Sequence, residues 1–75
     1  MERQLPKPEV VLTPRELEVL ALIARGRTAQ QIGDILGIAE RTANAHAESI
    51  IDKLGAKNRT HAATLAMRNG IIALD

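Results

Sequence analysis

The 75-residue chain contains no Cys, Phe, Tyr or Trp. Without Cys, disulfides, thiolate metal sites and a Cys nucleophile are all excluded. Without aromatic rings, the modules that stack single-stranded bases on Phe, Tyr or Trp faces are disfavoured. No stretch approaches the ~18 consecutive apolar residues of a membrane span, and no secretory leader is visible. No membrane partner is expected, and the cytoplasm is the expected compartment. Charge of one sign is also scarce: ten Lys and Arg oppose nine Asp and Glu, a formal net charge of +1. A nucleic-acid-binding domain typically has a pI above ~9, so the total does not point to one, although placement matters more than the sum. Residues 13–55 carry five basic and six acidic side chains, net −1, and residues 56–75 carry three and one, net +2. Positive charge therefore gathers past the middle of the chain.

What the chain does have is apolar residues, 45% of the total, set at helical spacing. A chain this short makes one small domain, which buries only ~60% of its unfolded surface. Residues 1–11 read as a linker or flexible tail, because Pro6 and Pro8 hold Leu5-Pro6-Lys7-Pro8 extended and no helical period is present. The domain proper is expected over 12–75. Thr13-Pro14-Arg15-Glu16 is a helix start: Thr13 caps the orphan amides, Pro14 fits the first position and Glu16 completes a capping box. Leu12 and Leu17 are placed to form a hydrophobic staple around it. Leu17, Leu20, Ala21 and Ala24 line one face, Val19 and Ile23 widen it, and Gly26 ends the helix.

Thr28 and Gln31 repeat the capping box, followed by Ile32, Ile35 and Leu36 at i, i+3 and i+4, and Gly37 stops this short second helix. A third helix is expected from about Glu40 to Leu54, with Ala43, Ala47, Ile50 and Leu54 as its inward stripe and Ile51 widening it. Gly55 follows. Asn58 caps a fourth helix running through Asn69 to Gly70, and Ile71, Ile72 and Leu74 follow as an apolar tail. No segment alternates with the period of a half-buried strand. The fold class is all-α: a compact four-helix domain with an extended N-terminal tail.

A short capped helix, a tight glycine turn and a longer helix form the helix-turn-helix pattern, here over about 29–48. In that arrangement one helix braces across the duplex backbone and the next lies in the major groove, where each base pair shows a distinct donor and acceptor pattern. Residues opposite the inward stripe of the third helix would face the groove: Arg41, Asn44, Ala45, Glu48 and Asp52. An Asn carboxamide can pair bidentately with adenine, and a Glu can accept from a cytosine amino group.

These blocks resemble LuxR-type (GerE-type) DNA-binding domains. The resemblance rests on Leu12-Thr13-Pro14-Arg15-Glu16-Leu17-Glu18-Val19-Leu20 and on Gln31-Ile32-Gly33-Asp34-Ile35-Leu36-Gly37-Ile38. Arg41-Thr42 with His46, Lys53-Leu54-Gly55-Ala56-Lys57-Asn58-Arg59-Thr60 and the ending Gly70-Ile71-Ile72 extend it. It spans roughly residues 12–72, and several blocks in order make it specific. It implies a four-helix domain of a bacterial transcriptional regulator, usually at the C-terminus of a sensor or response regulator. The run from Arg27 to Gly37 is most similar to the quorum-sensing branch. The family's base-facing positions fall on Asn44, Ala45 and Glu48, with Arg41 beside them. Its phosphate-touching positions fall on Thr28, Thr42, Lys53, Lys57 and Arg59. A two-fold patch on the fourth helix, as in relatives, would use Thr64, Met67, Arg68 and Ile71, giving a homodimer that is weak as an isolated domain and an inverted-repeat operator. RNA polymerase is a candidate partner. This chain departs from the family at three places: Asn44 and Glu48 stand where Lys or Arg is frequent, Ala39 where Ser often caps the third helix, and Ala43 where Val is frequent. The first departure leaves the groove-facing surface less basic.

Other side chains carry blander expectations. His46 is expected to be a partly buried packing residue, and His61 a solvated first-turn residue. Ser49, the chain's single Ser, is placed on an exposed face with no base beside it, and the acidic residues are scattered, so the chain is read as a non-enzyme without metal or cofactor. Two alternatives stand beside the DNA-reading domain. One is a sigma-factor region-four-like domain, against which the Lys53–Thr60 block and the Gly70 ending argue. The other is a helical antagonist that binds a protein partner rather than DNA.

Overall fold

The computed structural model describes residues 11–73. The linker assigned to the residues before Val11, and Leu74 in the apolar tail, lie outside the described residues. Four helices follow in order: α1 Pro14–Ala24, α2 Ala29–Leu36, α3 Glu40–Leu54 and α4 Arg59–Arg68. Among the described residues there is no strand, as the absence of alternating polarity predicts.

Three of the four helices begin at a side-chain cap. Thr13 accepts from the Glu16 N–H at 3.1 Å, while the Glu16 carboxylate accepts from the Thr13 N–H at 2.9 Å. Thr28 and Gln31 repeat the reciprocal pair at 3.1 and 2.9 Å. Asn58 accepts from the His61 N–H at 2.8 Å to start α4. Only α3 starts without a side-chain cap, at Ala39.

The core is one cluster to which all four helices contribute. Leu20, Ile32, Ile50 and Val19 are its largest fully buried side chains. The inward stripe of α3 is the expected one: Ala43, Ala47, Ile50 and Leu54 are all buried. The α1 stripe is rotated from the expected one. Glu16, Val19, Leu20 and Ile23 point inward, and Leu17, Ala21 and Ala24 are half-buried. On α2 the buried face is Ala29, Ile32 and Gly33, and Ile35 is 55% exposed rather than inward. Gly33 takes the place that spacing alone would give Ile35, because there the next segment passes too close for a side chain. A Cβ on Gly33 would lie 2.6 Å from the Ile38 carbonyl oxygen and 3.4 Å from the Glu40 nitrogen. The Gly33 carbonyl accepts from the Gly37 and Ile38 N–H groups at 2.8 and 2.9 Å. Gly37 closes the turn in the left-handed region, φ 72°, which glycine adopts without a Cβ penalty. These features seat α2 tightly on α3.

α1 packs against α2, α3 and α4, and α4 also touches α3, so α3 is held from three sides and is left one free edge. In α4 Ala62, Ala63, Leu65 and Ala66 are buried, and the small Ala side chains allow close helix approach. Ile71 and Ile72 pack back on the core.

Candidate nucleic-acid interface

The free edge of α3 carries the residues that the helical period places opposite the core. Arg41, Thr42, Ala45, Glu48 and Asp52 are exposed. Asn44 is half-buried, because a side chain from the next helix reaches it: the Arg59 guanidinium donates to the Asn44 Oδ1. Two expected site residues from different roles, one base-facing and one phosphate-facing, are thus joined directly. Sequence spacing gave no signal of this contact across 15 positions.

Thr28 caps α2 and is exposed at its start, and Thr42 is exposed on the first turn of α3. Lys57 is exposed just before α4, and Arg59 is half-buried on its first turn. Lys53 is held differently. Its ammonium is 2.8 Å from Glu16 Oε1 and 3.4 Å from the Val11 carbonyl oxygen. A phosphate contact by Lys53 would share an ammonium already engaged across α1 and α3.

Two expectations are corrected here. Ser49 is half-buried, not exposed and unpartnered, and its hydroxyl donates to Glu16 Oε2 at 2.7 Å. Glu16 is a poor base for that hydroxyl. Burial by itself would raise its carboxyl pKa. The hydrogen bonds from Lys53, the Thr13 N–H and Ser49, with the Lys53 charge, outweigh burial and lower it from 4.5 to about 2. The Ser49–Glu16–Lys53 cluster therefore ties α1 to α3 and is not a nucleophile arrangement. His61 is half-buried, and its Nδ1 accepts the Lys57 N–H at 2.9 Å. It extends the cap of α4 backwards instead of standing free in solvent. His46 is half-buried, as expected.

On the α4 surface, Thr64, Met67 and Ile71 are half-buried and Arg68 is exposed. Thr64, Met67 and Arg68 are spaced to share one face of α4, and Ile71, which packs back on the core, follows that helix. No helix among the described residues is long and apolar enough to cross a membrane.

A four-helix domain that wedges one short helix against the start of a longer one, and leaves the long helix's polar edge open, now has a counterpart. Residues 10–66 match the family described as bacterial regulatory proteins, luxR family, also called GerE. The chain belongs to the luxR family. The solved structure titled "Structure of Transcription factor, GerE" superposes with a TM-score of 0.80 at 36% identity, covering 85% of this chain and 96% of that one. Among luxR-type relatives, the transcriptional activator protein BjaR1 of Bradyrhizobium diazoefficiens is 51% identical over 67 residues, 89% of this chain and 28% of that protein. The transcriptional regulatory protein YdfI of Bacillus subtilis is 45% identical over 89% of this chain and 32% of its own length. The HTH-type quorum sensing-dependent transcriptional regulator RpaR of Rhodopseudomonas palustris is 43% identical over 96% of this chain and 31% of its own length. The chain thus spans about a third or less of these curated relatives. The luxR assignment accounts for the all-α fold.

Proposed function

We propose that this chain is the sequence-specific, duplex-DNA-binding domain of a bacterial transcriptional regulator. One observation carries the reading: the apolar stripe of α3 is sealed in the core while Arg41, Ala45, Glu48 and Asp52 on its opposite edge are exposed. A single helix with a free polar edge fits the major groove. Arg41, Asn44, Ala45 and Glu48 are the base-facing set. Thr28, Thr42, Lys53, Lys57 and Arg59 are the phosphate-facing set, and phosphate contacts supply most of the affinity.

Residues 12–75 form this domain and residues 1–11 link it to a sensor region of a larger protein. The Arg27–Gly37 run and the likeness to RpaR support a regulator of the quorum-sensing branch. Two copies pair weakly through Thr64, Met67, Arg68 and Ile71 and read an inverted repeat, and RNA polymerase is the further partner of an activator. The chain is a non-enzyme: its only Ser hydroxyl is bound to a carboxylate of very low basicity. The regulator works in the cytoplasm, on the nucleoid.

A salt series on duplexes recovered by selection from random sequence tests this. If all five phosphate-facing side chains neutralise a phosphate, log K should fall against log salt with a slope near −4.5, at about −0.9 for each. Indifference to every duplex at low salt overturns the reading. It would favour a protein-binding antagonist, an alternative that the exposed Glu48 and Asp52 on the same edge keep open.

A further inference from the structure

We infer that Arg59 is a positioning residue for base readout: it fixes which end of the Asn44 carboxamide faces the groove. The inference rests on the DNA-reading function proposed above and deepens it. A guanidinium carries only donors, so the Asn44 atom it touches is the carbonyl oxygen Oδ1 and not the amide nitrogen. A lone Asn on a helix edge can flip its amide and offer either end. Asn44 is half-buried against α4, and flipping would set N–H groups against the guanidinium.

Arg59 is itself anchored. It occupies the first position of α4, whose start is fixed twice over, by Asn58 accepting from the His61 N–H at 2.8 Å and by His61 Nδ1 accepting from the Lys57 N–H at 2.9 Å. The α4 end thereby sets the chemistry of an α3 side chain. One part of the guanidinium's five-donor fork is spent on Asn44, which leaves other donors for a phosphate oxygen.

With Oδ1 turned to Arg59, Asn44 presents its Nδ2 donors to the groove. Those donors need a base with an acceptor on its major-groove edge. Guanine, adenine and thymine each offer one, and cytosine offers only its amino donor. Asn44 should therefore reject cytosine at the base beneath it rather than demand adenine. Without Arg59 the amide is free to turn its oxygen outward and accept from cytosine, so the rejection should fade.

The test is selection from random duplexes with the 75-residue chain, comparing wild type, Asn44→Ala, Arg59→Met, the double variant and Asn44→Asp. The wild type should deplete cytosine at one position, by about tenfold, and Asn44→Ala should erase that depletion. Arg59→Met should relax the same position and leave the other positions unchanged, beyond a general loss of affinity. In the Asn44→Ala background it should relax nothing further. Asn44→Asp keeps a partner for Arg59 and turns an acceptor outward, so that position should move towards cytosine; this arm stands even if Arg59→Met proves unfolded by circular dichroism. An even loss on all duplexes in Arg59→Met with cytosine depletion intact overturns the inference. So does an unchanged preference in Asn44→Asp. A wild type that selects no site at low salt overturns the DNA reading itself.

Discussion

Glu16 shows how much one side chain can do in a core of Ala, Ile, Leu and Val. It is 5% exposed, the one buried charged residue among those described, yet its carboxylate accepts from Thr13, Lys53 and Ser49 at 2.7–2.9 Å. An unpaired buried carboxylate would be costly, and these three donors make it tolerable. Its pKa of about 2 lies below the ordinary 4.5. A depressed folded-state pKa means that the unfolded chain takes up the proton first as pH falls. The stabilisation is complete above about pH 4.5 and is lost as pH drops towards 2. The shift corresponds to ~2–3 kcal/mol, the lower figure allowing for solvent screening of the more open Lys53. Glu16→Gln should lower stability at neutral pH by ~1–3 kcal/mol. It should also flatten the acid limb between those two pH values relative to wild type. Urea unfolding at a series of pH values measures both, and an unchanged acid limb would assign the depressed pKa to another carboxyl.

At the scale of elements, α3 was the most legible in the sequence and α1 the least. The apolar residues of α3 are few and fall four, three and four apart, so only one face can be inward. α1 has apolar residues nearly all round, from Leu17 to Ala24, and periodicity cannot choose among faces. The choice is made by Glu16 meeting Ser49 and Lys53, contacts 33 and 37 positions away in the chain. Local spacing carries no trace of them. Ile35 misled for a related reason: the inward position goes to Gly33, since the Ile38 carbonyl lies where a side chain would be. Gly33→Ala should therefore lower the melting temperature, at a cost of ~1–3 kcal/mol, by forcing the α2–α3 turn apart. A variant as stable as wild type would show that the α2–α3 turn can yield to a side chain. Ala39→Ser should act in the opposite direction. Ala39 already has the extended cap conformation, φ −68° and ψ 151°, and lacks only the side-chain acceptor. A hydroxyl there should add ~1 kcal/mol, read as an upward shift in the urea midpoint with an unchanged slope.

At the scale of the whole molecule, the candidate residues can be named one at a time from the sequence, but the contact between Asn44 and Arg59 cannot. Period and resemblance picked out Asn44 and Arg59; that they touch depends on how α4 crosses α3, which no local pattern encodes. In the proposed dimer a second copy would lie against Thr64, Met67, Arg68 and Ile71, of which Arg68 is exposed and the others half-buried. Such pairing should matter mainly on DNA, where two half-sites raise the local concentration of one domain near the other. In a two-fold complex the recognition helices sit about one duplex turn apart, ~34 Å. Inserting five base pairs between half-sites would turn one of them to the opposite face of the duplex. Cooperative binding should then fall by about tenfold, within the ~1–3 kcal/mol typical of coupling between sites, while affinity for a single half-site stays the same. Met67→Glu, which places a charge in the patch, should have the same effect without altering the spacing. Gel-shift titrations of one-site and two-site duplexes measure both. If spacing and Met67→Glu leave two-site binding unaltered, the copies bind independently and α4 is not their meeting surface.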